Sequence, residues 1–223
     1  MPKHAVIEYI KEHEFLLLNV STLLILILYP IYYVSEHASL IFHALMSCVI
    51  LSGIYAAWEY KRFVPTVIIL WIISFLLNLA DFVSIQNKTF ILVYMSCTLL
   101  FFLVVTAKVI STIINHHKID AHVIMGGISW YLMLGMSGAF LFGILELLLP
   151  GSFNTPANYI WNIPEYIYYS FITMTTLWYG DIYPISHAAQ MWSILITVFG
   201  QIYLSVFMWV LIGKYIRKKN KKD

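Results

Sequence analysis

The stretch WNIPEYIYYSFITMTTLWYGDIYPIS, Trp161 to Ser186, lies between two long apolar runs, Val123 to Leu149 and Met191 to Tyr215. It is too short to hold two membrane crossings and too aromatic for an ordinary hydrophilic loop, so it reads as re-entrant. Pro164 suits the first turn of a helix, where its missing amide proton is not needed, and Glu165 suits the positive end of the same helix. Tyr166 to Thr176 can then run as a short helix into the membrane, after which the chain must return as irregular backbone. Irregular backbone at membrane depth is tolerated only where it is buried in protein or lines an aqueous cavity. A loop of this kind implies a pore or a substrate site.

The surrounding sequence fits a lipid environment. Of 223 residues, 61% are hydrophobic and only 11% charged, and the mean hydropathy is +0.82. A helix needs roughly 20 mostly apolar residues to cross a bilayer core. Apolar runs bounded by charge or turn residues place spans at Phe15 to Val34, Ser39 to Trp58, Val64 to Val83 and Phe90 to Ile114, with the two runs around the loop as the fifth and sixth. The expected fold is an all-α membrane protein with six transmembrane helices and a re-entrant loop that carries a short helix. Lys3, Lys11, Lys61, Arg62, Lys118, Lys214, Arg217, Lys218, Lys219, Lys221 and Lys222 all fall on one side of a six-crossing arrangement, whereas Lys88 alone falls on the other. The positive-inside rule then puts both termini in the cytoplasm of an integral plasma or bacterial inner membrane protein. The first apolar run is long enough to span and lacks a following small-residue cleavage site, so it is expected to stay as an anchor.

Residues 115–122 are polar and divide the chain into a four-helix domain, 1–114, and a pore domain with a basic tail, 123–223. The tail, Arg217 to Lys222, is expected to contact anionic lipid headgroups. A formal net charge of +2 gives no reason to expect a nucleic-acid partner. Cys48 and Cys97 sit inside apolar runs and read as buried thiols. No paired carboxylates, metal-ligand spacing, nucleotide loop or nucleophile and base pair occurs at a shared membrane depth, so no enzyme is expected.

Within the loop, Thr173-Met174-Thr175-Thr176-Leu177-Trp178-Tyr179-Gly180-Asp181-Ile182-Tyr183-Pro184 resembles the filter segment of the tetrameric potassium channels, whose pattern is Thr-Thr-Val-Gly-Tyr-Gly-Asp. The resemblance extends over Val123 to Tyr215, including Leu145 to Phe153 and Phe199 to Leu204, and is much weaker upstream. It implies a homotetramer in which four loops surround one axis and backbone carbonyls replace the hydration shell of a cation. In that reading Thr176, Leu177, Trp178, Tyr179 and Gly180 form the ion filter, and K+ passes along its carbonyls and the Thr176 hydroxyl. Asp181 braces the outer mouth through a hydrogen bond to Tyr168 or Tyr169, with Thr175 as further support. The permeant ion is K+, with Na+ as the alternative, and no cofactor is implied.

One position departs from the family pattern: Trp178 stands where the first filter glycine belongs. Glycine there permits a backbone geometry that costs a bulky residue about 1–3 kcal/mol. Either the filter is reshaped or its selectivity is altered.

The resemblance also places Gly200 where the inner helix of the family bends. Gln201, Leu204, Met208 and Ile212 follow at helical spacing and are expected to line the cavity and a cytoplasmic gate. His116, His117, Asp120 and His122 cluster in the connector and read as solvated loop, with a pH-responsive gate as the sharper alternative. Phe90 to Ile114 carries only Lys108, against the several arginines of a voltage sensor, so strong voltage sensing is not expected. Glu146, at the outer end of the fifth span, is expected to bond locally behind the filter. The functional expectation is a passive monovalent cation channel. Its competitors are a non-conducting channel-like subunit or membrane sensor, and a secondary transporter, for which the two halves lack an inverted repeat.

Overall fold

The structure, a computed structural model, describes residues 15–28, 38–57, 68–69, 72–76, 87–115, 121–154 and 163–219. Six helices organise them: α1 Phe15–Leu28, α2 Ala38–Ala57, α3 Lys88–Asn115, α4 Ala121–Leu148, α5 Ile163–Met174 and α6 His187–Lys219. Two short strands, β1 Phe153–Asn154 and β2 Tyr183–Pro184, pair antiparallel. Residues 68–69 and 72–76 are also helical. The rest of the expected third span, Val64 to Val83, lies outside the described residues, as do His116, His117 and Asp120 of the connector. Side chains of His122, Met208, Ile212 and the basic tail lie outside them too.

Three helices among the described residues are long and apolar enough to cross a membrane, over Lys88–Ile113, Val123–Leu148 and His187–Phe207. Two shorter apolar helices, Phe15–Leu28 and Ile41–Gly53, accompany them. These segments form helices because each must satisfy its own backbone hydrogen bonds where water is absent. Local signals set their ends. The Asn87 side chain accepts the Thr89 amide at 2.9 Å and caps α3, and the Ser186 hydroxyl accepts the Ala189 amide at 3.2 Å and caps α6.

Between helices in lipid there is little hydrophobic driving force, so close packing and interhelical hydrogen bonds carry the association. α4 is the centre. Its Phe140 stacks on Phe102 of α3 at 5.6 Å and meets Tyr94 edge-on at 6.2 Å. Pairs of this kind contribute about 0.5–1.5 kcal/mol each beyond area burial. On its other side α4 takes the short helix α5, whose Ser170 hydroxyl donates to the Gly135 carbonyl at 2.7 Å. The approach needs small residues: a Cβ on Gly135 would sit 2.6 Å from the Phe171 ring, and one on Gly138 would collide with Ser170. The fold thereby presents α5 and the loop after it in the angle between α4 and α6.

Candidate functional site

The helix that enters the site starts and ends by identifiable chemistry. α5 holds Pro164 and Glu165 in its first turn, as the sequence led us to expect, and its described helical residues end at Met174 rather than Thr176. The Leu177 amide donates to the Ile172 carbonyl at 2.9 Å, and the Thr176 amide to the Thr173 carbonyl at 3.1 Å. With Thr176 at φ 59°, these two bonds form a Schellman motif, in which a left-handed residue just past the helix captures its last carbonyls. Glycine is usual at that place. A β-branched residue there is a genuine outlier, and threonine hides the motif from a sequence reading.

α6 adds two side-chain bonds to the carbonyls at this end. The Thr197 hydroxyl donates to the Thr173 carbonyl at 3.2 Å, and the Gln201 side-chain amide reaches the Met174 carbonyl at 3.4 Å. Gly200 allows this contact, because a Cβ there would stand 2.5 Å from Met174 Cγ and 2.8 Å from its carbonyl oxygen. α6 runs as one helix through Gly200, so the packing task assigned here to that glycine is close approach to the end of α5. Leu204 is exposed on the described chain.

Past the helix, Leu177, Trp178 and Tyr179 are irregular and exposed. Trp178 has φ 27° and Gly180 φ 81°. The backbone at 178 thus takes the positive φ that glycine favours while carrying an indole, and no capping motif accounts for it as one does at Thr176. A Cβ on Gly180 would lie 3.2 Å from Trp178 Nε1, so the indole leans toward Gly180. It also borders a cavity of about 630 Å3 between the loop and α6, lined among others by Tyr169, Thr173, Ile194, Thr197 and Val198.

The loop is fixed at its far end. Tyr168 donates its hydroxyl to Asp181 at 2.6 Å, whereas Tyr169 pairs with the Ser193 hydroxyl of α6 at 2.7 Å. Of the two partners expected for Asp181, the structure selects Tyr168. Asp181 also accepts the Ile182 amide at 3.0 Å. The Thr175 hydroxyl turns back to the Phe171 carbonyl of its own helix at 2.7 Å.

Behind the loop stands an aromatic cluster. Phe142 meets Tyr169 at 4.9 Å, and Phe153 meets Tyr169 at 5.2 Å and Tyr166 at 5.8 Å. Glu146 holds this wall in place as expected, accepting the Gly151 amide at 2.7 Å and the Phe153 amide at 3.1 Å. The two strands then join wall to loop, with Phe153 opposite Pro184 and the Ile185 amide donating to the Ser152 carbonyl at 2.7 Å. The role of Glu146 was legible beforehand; that of Ser152 was not. Among the described residues no three His, Cys, Asp or Glu side chains converge as a metal site.

Residues 127–217, from within α4 to near the end of α6, match the model of a protein family described as an ion channel. No curated protein and no solved structure matches the chain. The matched region contains α5, the loop and most of the two helices that hold them, so the segment similar to an ion channel is the one that forms this site. The chain thus combines helices long and apolar enough to cross a membrane with a region similar to an ion channel.

Proposed function

We propose that the protein is a passive monovalent cation channel of the potassium-channel type, in which four copies of the loop surround one conduction axis. The observation that carries this reading is the loop itself: a short helix ends in a capped turn, and the chain continues as exposed irregular backbone that Asp181 ties back to Tyr168. The C-terminal end of α5 carries the negative end of its dipole, which favours a cation beyond it. Backbone that takes positive φ at 178 and 180 is able to turn successive carbonyls toward one side, as an ion filter requires.

In this reading Thr176, Leu177, Trp178, Tyr179 and Gly180 line the path, Asp181 and Tyr168 brace its mouth, and Gln201, Leu204, Met208 and Ile212 face the cavity and gate. α6 supports fourfold assembly. Only 17% of its apolar window is buried on the single chain, against 67% for α4, leaving a helix face for neighbouring copies to cover. The six crossings, the cytoplasmic termini and the contact of Arg217 to Lys222 with anionic headgroups belong to the same proposal. Trp178 lowers selectivity for K+ over Na+, because a backbone strained by about 1–3 kcal/mol per chain relaxes by moving carbonyls off their coordinating positions.

Mass measurement of the purified protein in detergent, paired with K+ flux from liposomes, tests the proposal. A tetramer that releases K+ down its gradient is expected. A monomer or dimer with undiminished flux contradicts fourfold assembly, and a tetramer without flux favours the non-conducting alternative.

A further inference from the structure

The stretch Met125 to Ser129 of α4 is held from two sides. From α1, Asn19 is buried and donates its side-chain amide to the Met125 carbonyl at 3.0 Å. Its carbonyl oxygen accepts the Ser129 hydroxyl at 2.7 Å, and Ser129 also lies 3.0 Å from the Met125 carbonyl and 3.4 Å from that of Phe15. The Phe15 ring packs where a Cβ on Gly126 would stand 3.1 Å from it. From α6, Tyr203 donates its hydroxyl to the Gly127 carbonyl at 2.5 Å. Phe207 occupies the space that a Cβ on Gly127 would need, and it stacks on Tyr203 at 5.3 Å, while the Trp130 ring lies 4.4 Å from that of Tyr203.

We propose that Gly126 and Gly127 form a joint through which α1 sets the position of the lower part of α6, with Asn19 and Tyr203 as positioning residues for conduction. The inference rests on the channel reading above. Carbonyls at 125 and 127 are about 200° apart around a helix of 3.6 residues per turn, so the two latches pull on nearly opposite faces. A helix carbonyl that accepts an extra side-chain bond tilts outward and bends its helix there. Two adjacent glycines make this the place where α4 bends most easily. The bend therefore depends on the balance between Asn19 and Tyr203, and changing one alters what the other holds. α6 is sensitive to it because so little of that helix is buried elsewhere on its own chain.

A double-mutant cycle on the full chain in bilayers tests the joint with Asn19→Leu, Tyr203→Phe and the pair. Tyr203→Phe keeps the ring stack and deletes only the hydroxyl. Each single variant should change open probability by at least about threefold, with unitary conductance and reversal potential unchanged. The pair should depart from the product of the singles by at least about threefold. A product that matches overturns the proposal, as does a change in conductance with open probability unmoved. If the parent passes no current, the channel reading fails and the joint is judged by distance instead. Spin labels replacing the exposed Leu24 and Val206, with Cys48→Ser and Cys97→Ser as background, should then report a shifted distance in both variants. Unshifted distances in both overturn the joint.

Discussion

The phenol of Tyr168 donates to the Asp181 carboxyl at 2.6 Å across thirteen residues, tying the helix that enters the site to the chain that leaves it. Everything from Thr175 to Gly180 hangs between these two points, exposed on the single chain. Tyr168→Phe keeps the ring and removes the tie. We expect a loss of about 1 kcal/mol in the conducting loop conformation, roughly a fivefold shift in its population, seen as currents that decay faster under sustained recording. Unchanged kinetics would mean that other contacts fix the loop.

Trp178→Gly should raise K+ selectivity. It recreates a glycine where the backbone already has φ 27° and relieves about 1–3 kcal/mol of strain per chain. The indole is 66% exposed on the single chain, so few contacts within that chain are lost. Reversal potentials under mixed K+ and Na+ gradients measure it. A strongly K+-selective parent, or a glycine variant less selective than the parent, contradicts this account of Trp178.

Glu146→Ala should destabilise the wall behind the loop. Two amides, Gly151 and Phe153, lose their acceptor, at about 1–3 kcal/mol for each donor left unpaired. Thermal unfolding in detergent should move down by several degrees. Glu146→Gln, which keeps one acceptor oxygen, should recover part of the loss.

Gly200→Ala should push α6 away from the end of α5, since the added methyl would stand 2.8 Å from the Met174 carbonyl oxygen. The expected result is a change in unitary conductance together with a loss of stability of about 1–3 kcal/mol, the usual cost of overpacking. If Gly200 served only as a hinge, gating would change and conductance would not.

How much of this was legible in the sequence depended on which residues announce their own geometry. Pro164 and Glu165 mark a helix start, and α5 begins beside them at Ile163. Asp181 needed a tyrosine partner, and one of the two candidates provides it. Glu146 could be expected to bond locally because a carboxyl at the end of an apolar helix needs nearby donors. Thr176 gave no such sign, since a left-handed cap is usually announced by glycine. The link from Asn19 to Ser129 was hidden for another reason. In helices apolar on every side, the pattern of residues does not reveal which face meets protein and which meets lipid. A contact between residues 110 apart then has no local signature.

The most direct test is single-channel recording of the purified, reconstituted protein under opposed K+ and Na+ gradients. The account predicts discrete ohmic currents carried by monovalent cations, with a reversal potential between the K+ and Na+ equilibrium values that moves toward the K+ value in Trp178→Gly. Tetramers inserted in the bilayer that pass no unitary current, or uptake that saturates and is coupled to a second gradient, would contradict it.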